Sequence, residues 1–361
     1  MRVVVKVGSG SLVEKDGTLK SGLIYSLAQQ IKDLRKFHEV VLVSSGAIAA
    51  GLSALKKSRR EVSDIKTLTA ISSVGQVKLI QAWQSSFNSF GYELGQILLS
   101  PSDFIQRSQY LHARETLEEL LKLGIVPVIN ENDAVCDDEI RFGDNDRLAA
   151  LVASLLRADL LLLLTDTEGL YLKDPRFSDE KVLVKEVLEI DSLTAEATSK
   201  SSSDFGSGGM ASKLAAAKIA SWSGTDVVIA KADAKEVIVK AVKNFSSVGT
   251  YIKARKTHLS ARLLWIAFAS ESKGVIYIDQ GAKNALSKGN SSLLLAGVIN
   301  TEGSFEKGDI AEIRHEKELL AKGILKLSSG ELLKYKGKSK KDLPEDIDPE
   351  VVHRDDMVVF N

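Results

Sequence analysis

Short apolar runs alternate with stretches of helical spacing from the first residues onward. Val3-Val4-Val5-Lys6-Val7 reads as a strand that stops at Gly8. Residues 22–37 follow, with Leu23, Ile24, Leu27, Ile31 and Leu34 recurring on one helical face. Val40 to Val43, Leu94 to Leu99, Ile125 to Ile129, Leu160 to Leu164 and Val227 to Ala230 continue the strand series. Helical patterns near 67–89, 108–123, 146–157 and 210–222 lie between them. This alternation predicts an α/β fold, a mostly parallel central sheet covered by helices on both faces. Ligands of such sheets bind beyond the carboxyl ends of the strands.

The pattern changes near residue 255. Short β-like segments then follow, Val275 to Ile278, Leu293 to Ile299, Ile310 to Ile313 and Ile324 to Leu327, punctuated by glycines at 281, 289, 297, 303, 308, 323 and 330. They predict a small β-rich barrel or sandwich. The chain therefore divides into 1–255, a connection over 256–273 in which Leu263 to Phe268 can form a helix, and 274–361. The tract from Lys334 to Lys341 holds five lysines among eight residues and is followed by acidic residues. It reads as a solvated loop rather than a nucleic-acid patch.

Length agrees with two domains, since 361 residues exceed one typical domain. Lysine plus arginine and aspartate plus glutamate number 48 each, which removes a global electrostatic case for nucleic acid or an anionic membrane. Cys136 stands alone, which rules out an intramolecular disulfide and fits a reducing compartment. No apolar run approaches the length of a membrane span and no cleavable signal pattern opens the chain, so a cytoplasmic protein is expected. The five histidines (38, 112, 258, 315 and 353) are too scattered for a zinc site or a Cys–His nucleophile pair.

Candidate chemistry gathers at the strand ends. Lys6 precedes Gly8-Ser9-Gly10, where a lysine beside tight, amide-rich backbone can meet phosphate oxygens; alone it equally fits an edge-strand lysine reaching solvent. Ser44-Ser45-Gly46-Ala47 offers amides and hydroxyls to an anion, or simply caps a helix. Asn130-Glu131-Asn132-Asp133-Ala134 follows a buried strand and either receives an ammonium group or forms an Asx-rich turn. Gly143-Asp144-Asn145-Asp146 opens the next helix with more polar groups than capping requires. Thr165-Asp166 ends the five-leucine strand, where it can touch a base or ribose or serve as a turn. Gly206-Ser207-Gly208-Gly209-Met210-Ala211-Ser212-Lys213 opens an alanine-rich helix; a Ser/Gly linker does not explain why it closes on a lysine. No Walker A loop exists, because Leu332 stands where Gly337-Lys338-Ser339 needs a glycine five places before its own.

Taken in order, Lys6-Val7-Gly8, the run Val43 to Gly51, Pro127 to Ala134, Gly143 to Asp146, Leu163 to Asp166 and Gly208 to Lys213 resemble the amino acid kinase family. The resemblance covers 1 to about 255, and the remainder is similar to a PUA domain. The fold implied is a three-layer sandwich around a mostly parallel sheet. The strings Ser-Gly-Ala-Ile-Ala-Ala-Gly (45–51) and Asn-Glu-Asn-Asp-Ala (130–134) are closest to the branch that phosphorylates glutamate, at the first step of proline biosynthesis. Sister branches act on aspartate, acetylglutamate, carbamate or uridylate. The resemblance implies transfer of the γ-phosphoryl of ATP to the γ-carboxylate of L-glutamate, with Mg²⁺ carried largely by the ATP phosphates. Lys6 and Lys213 would neutralise the transferring group and Asp146 would hold them. Ser45, Asp133 and Asn145 would bind glutamate. Lys6, Thr165, Asp166 and the stretch Ser207, Gly208, Gly209, Met210, Ala211, Ser212 and Lys213 would bind ATP. Ala211-Ser212 departs from the Ser-Thr common in the family, a change that small polar backbone contacts should survive. Proline as a feedback inhibitor and a dimer or tetramer are family expectations too. RNA binding through the PUA-like part is not expected, since 274–361 lacks a basic stripe interleaved with aromatics.

Overall fold

In the computed structural model the chain forms two compact units, residues 1–261 and 262–361. The structure describes residues 1–14, 16–58, 61–62, 64–100, 102–135, 145–171, 182–191, 208–256, 259–269, 272–289, 291–344 and 347–360.

The first unit is built on an eight-stranded sheet. Its strands are β1 (Arg2–Val7), β2 (Glu39–Ser44), β3 (Leu94–Leu99), β4 (Val126–Glu131), β5 (Leu160–Thr165), β6 (Glu186–Val187), β7 (Asp226–Lys231) and β8 (Thr250–Ile252). They lie in the order β3-β4-β2-β1-β5-β7-β8-β6. The six strands from β3 to β7 in that order run parallel, and β8 then pairs antiparallel with β7 and parallel with β6. Each of the six parallel strands was visible as an apolar run, because β1, β2, β4, β5 and β7 are buried almost throughout. The two reversed strands left no such signal: with three and two residues they are too short to show a period.

The strand order reverses about β1, with β2 on one side and β5 on the other. Register aligns the carboxyl ends there, pairing Lys6 with Val43 and Leu163, and Val7 with Ser44 and Leu164. A crevice at such a reversal is where this architecture holds ligands.

Helices Ser21–Leu34, Ala47–Ala54, Ile65–Asn88, Arg107–Lys122, Asn145–Leu155 and Gly208–Trp222 surround the sheet. The 47–54 and 65–88 helices meet backbone to backbone. A Cβ on Gly75 would lie 1.8 Å from the Ala47 carbonyl oxygen, and one on Gly51 would lie 2.0 Å from that of Ile71. Gly46 begins the 47–54 helix at φ 110°, a conformation that L side chains disfavour, and so turns the chain off the end of β2.

The second unit contains a five-stranded sheet, β11-β9-β12-β13-β15, and a two-stranded one, β10-β14. Their ranges are β9 Gly274–Ile278, β10 Leu293–Leu294, β11 Val298–Gly303, β12 Ile310–His315, β13 Glu318–Ile324, β14 Glu350–Val352 and β15 Met357–Val359. Two expected strands are redrawn. The run Leu293 to Ile299 splits at a 3₁₀ turn, Leu295–Gly297, so that its halves serve different sheets. Residues 325–327 are not strand: β13 ends at Ile324, and Leu325 and Leu327 are apolar because they fill the core. Residues 261–264 form an α-turn that continues as a five-residue π-helical stretch to Ala269.

Candidate active site

Three charged side chains from distant parts of the chain meet at the carboxyl end of β1. Lys6 projects from the strand between β2 and β5 and is only 3% exposed. Asp146, in the first turn of the 145–155 helix, is fully buried. A carboxylate is favoured there by the positive end of the helix dipole. Its Oδ1 pairs with the Lys6 ammonium, and its Oδ2 lies 3.0 Å from Lys213 Nζ. Lys213 comes from the second turn of the 208–222 helix and also donates to the Gly209 carbonyl at 3.2 Å. Two ammonium groups thus share one carboxylate, leaving one net positive charge in a place largely removed from water. Gly8 passes over this group, its N–H donating to the Leu164 carbonyl at 3.1 Å.

An amide network adjoins the charged cluster. Asn145, beside Asp146, donates through Nδ2 to the Ser44 carbonyl at 3.1 Å and to Asn130 Oδ1 at 2.5 Å. Asn130 donates in turn to Gln76 Oε1 at 2.6 Å. Ser72 donates to Asp133 Oδ2, tying the loop after β4 to the 65–88 helix. Ser44 accepts from Trp83 Nε1 at 2.8 Å, and the Ser45 N–H reaches the Val7 carbonyl at 3.1 Å. The Ser45 hydroxyl makes no hydrogen bond among the described residues and is partly open to solvent. Thr165 donates to Asp166 Oδ1 at 3.0 Å; Thr165 is buried and Asp166 exposed at the end of β5.

Lys6 and Lys213 therefore both contact Asp146, and Asn145 is its neighbour in the chain. Ser45, Asp133 and Asp166 follow the carboxyl ends of β2, β4 and β5, and Thr165 is the last residue of β5, at the end of the sheet that carries the charged cluster. Gly209, Met210, Ala211 and Ser212 form the exposed or half-buried first turn of the helix bearing Lys213, and Gly208 begins it. Ser207, Gly143, Asp144 and Cys136 lie outside the described residues. Ser72 and Gln76 went unrecognised from sequence as parts of the site, and Ser44 and Asn130 were singled out only as members of their motifs, with no role of their own. Ser72 and Gln76 were findable in principle: they sit four apart, on one face of a helix whose neighbouring inward positions are apolar or glycine.

Among the described residues no three His, Cys, Asp or Glu side chains cluster as a metal cage. The cationic, amide-rich donor set around Lys6 and Lys213 suits phosphate oxygens. No helix of the described residues is long and apolar enough to cross a membrane.

Residues 1–231 match the amino acid kinase family, and residues 274–345 match the PUA domain. The chain is 40% identical over 368 residues to "Glutamate 5-kinase" of Thermoanaerobacter sp. (strain X514), covering all of this chain and 98% of that one. It is 42% identical over 360 residues to "Glutamate 5-kinase" of Nocardia farcinica (strain IFM 10152), covering 99% of this chain and 96% of the relative. It is 43% identical over 365 residues to "Glutamate 5-kinase 2" of Pseudoalteromonas translucida (strain TAC 125), at 99% and 98% coverage.

Proposed function

This chain belongs to the amino acid kinase family, and we propose that its charged cluster transfers the γ-phosphoryl group of ATP to the γ-carboxylate of L-glutamate. The products are γ-glutamyl phosphate and ADP. Relatives named for this activity match the chain nearly end to end, so neither a sister acceptor nor an RNA-binding role is favoured. The observation that carries the assignment of roles is the pairing of Lys6 and Lys213 on a single buried carboxylate.

The transfer brings two anions together. A carboxylate oxygen of glutamate forms a bond to the γ-phosphorus while the bond from that phosphorus to the bridging oxygen breaks, and the electron pair leaves with ADP. The acceptor is already ionised at neutral pH, its ordinary pKa being about 4.3, so no general base is needed. What remains is positioning and charge stabilisation. Lys6 and Lys213 supply positive charge where the equatorial oxygens gather negative charge. Asp146 touches neither substrate in this reading. It is a positioning residue that keeps two like charges side by side before substrate arrives. Mg²⁺, if bound through ATP, would neutralise the phosphates. ATP is held by Lys6, Lys213, Thr165, Asp166 and the 207–213 segment, and glutamate by Ser45, Asp133 and Asn145. The open Ser45 hydroxyl and the restrained Asp133 carboxylate suit an amino acid's carboxylate and ammonium respectively. Proline carries the same two groups and would compete at those residues. A dimer or tetramer through the first unit accompanies this reading, checked by light scattering on the full chain.

The test is ADP release from Mg·ATP with L-glutamate, trapping the acyl phosphate with hydroxylamine, beside aspartate, acetylglutamate and carbamate. Hydroxamate from glutamate alone is expected. Turnover with a different acid overturns the substrate and keeps the mechanism; silence with all four overturns both.

A further inference from the structure

The opposite edge of the main sheet carries a cavity that phosphoryl transfer does not use. It is a depression largely open to solvent, of roughly 550 Å³, at the amino-terminal ends of β1, β2 and β5. Arg2, Glu39 and Asp159 line it from the strand entries, and Arg35, Arg114 and Arg157 from the helices and turns beside them. Arg2 precedes Lys6 by four residues on β1, which separates the two sites by about 13 Å along the strand.

Part of this charge is already committed. Arg2 pairs with Glu39 at 2.8 Å and donates to the Leu156 carbonyl at 2.6 Å. Its backbone N–H donates to Asp159 at 2.6 Å. Arg114 pairs with Glu118 at 2.9 Å. Arg35 and Arg157 remain. The Arg35 guanidinium stands 4.8 Å above the Tyr92 ring, with its Nη1 buried and lacking a hydrogen-bond partner. Arg157 makes no ion pair among the described residues. His38 also lines the cavity, with a buried Nδ1 that has no partner. Burial lowers the pKa of this imidazole below its usual value.

Arg157 is also held at a backbone cost. It follows the 145–155 helix at φ 49°, with Ala158 N–H bonded to the Ala153 carbonyl at 2.8 Å. Glycine is the residue that such a helix-ending turn prefers. An arginine kept there points to work for its side chain. Every cationic side chain on the long arms of this cavity is arginine and none is lysine, and the planar guanidinium fork matches oxyanions two oxygens at a time.

We propose that this cavity binds a small multivalent oxyanion, either phosphate-bearing or a polycarboxylate, held between Arg35 and Arg157 with His38 as a further donor. The cavity has a volume in the range of small-ligand sites, and Arg157, which lines it, is exposed with its guanidinium fork in no ion pair among the described residues. The site is independent of the transfer reaction.

Pyrophosphate and citrate serve as probes, titrated without Mg²⁺ into the full chain labelled with ¹⁵N-histidine. Arg35→Gln and Arg157→Gly are measured alongside. Saturable movement of the His38 resonances is expected, with a rise in its pKa as the anion binds. Pyrophosphate held at Lys6 and Lys213 does not produce this signal, because that site is remote from His38. Arg157→Gly relieves the backbone while removing the fork, so its affinity should fall about 10-fold or more with Tm unchanged or raised. A response to pyrophosphate alone assigns a phosphate-bearing ligand, and one to citrate alone a polycarboxylate. No movement of His38 with either probe, or undiminished binding by Arg157→Gly, overturns the site.

Discussion

Asp146→Asn removes the carboxylate that, among the described residues, pairs with both Lys6 and Lys213, while keeping the size of the side chain. Asp146 is fully buried, and the Lys6 and Lys213 side chains are 3% and 11% exposed, so neither ammonium can turn readily to water instead. Taking away one partner of a buried pair leaves an uncompensated charge and costs about 3–5 kcal/mol. Here two like charges are left facing each other, which places the expected loss at the upper part of that range. Kinetically the variant should divide its effects. ATP phosphates meet one more unit of positive charge, so KM for ATP should hold or fall. The lysines are no longer held in register, and misplacement by about 1 Å lowers kcat about 10²-fold. Stability is read by urea unfolding followed by tryptophan fluorescence in a Trp265→Phe background, since Trp83 and Trp222 then report on the first unit alone. A cycle with Lys6→Met checks the cause: the apolar replacement removes the stranded charge, and a coupling energy of about 1–3 kcal/mol should return. Loss of less than about 1 kcal/mol in Asp146→Asn with additive behaviour in the cycle, a value typical of exposed ion pairs, would refute this account of the cluster.

Lys6→Met and Lys213→Met should each lower kcat at least about 10²-fold with circular dichroism unchanged, the cost of one missing charge-stabilising donor; near-normal turnover in both would sink the mechanism. Ser72→Ala frees Asp133 and should raise KM for glutamate several times more than KM for ATP, as steady-state kinetics will show. Gly75→Ala, ordinarily a stabilising change within a helix, should here destabilise by about 1–3 kcal/mol, because its Cβ meets the Ala47 carbonyl at 1.8 Å; a raised urea midpoint counts against that packing. With an acceptor ionised well above its pKa of about 4.3, kcat should not rise with pH between 6 and 8 as a titrating general base would make it do, and a steep rise would implicate a base absent from the cluster.

Much of the chain announces its structure locally. Five of the six parallel strands are buried along almost their whole length and read as mainly apolar runs, and the helices between them carry one apolar face. Lys6 stands out because a lysine inside such a run contradicts its surroundings, and Lys213 because it closes a glycine tract at the head of a helix. Those signals are intrinsic to residue type and spacing. The residues that orient the site are of another kind. Asn145 meets Asn130 and the Ser44 carbonyl, Ser72 meets Asp133, and Trp83 meets Ser44, across separations of 15 to 101 residues. Gly51 and Gly75 look like helix weaknesses in one dimension, yet they are the places where two backbones touch. The end of β13 at Ile324 and the reversed β8 follow the same rule, since whether a short apolar stretch ladders or fills a core depends on its neighbour. Sequence by itself determined the elements and the kinds of charge available, because burial and periodicity are written residue by residue. That Asp146 holds Lys6 and Lys213, separated by more than two hundred residues, was implied only by the family resemblance; the tertiary structure brings them onto one carboxylate, because that contact exists only once the sheet is closed around β1.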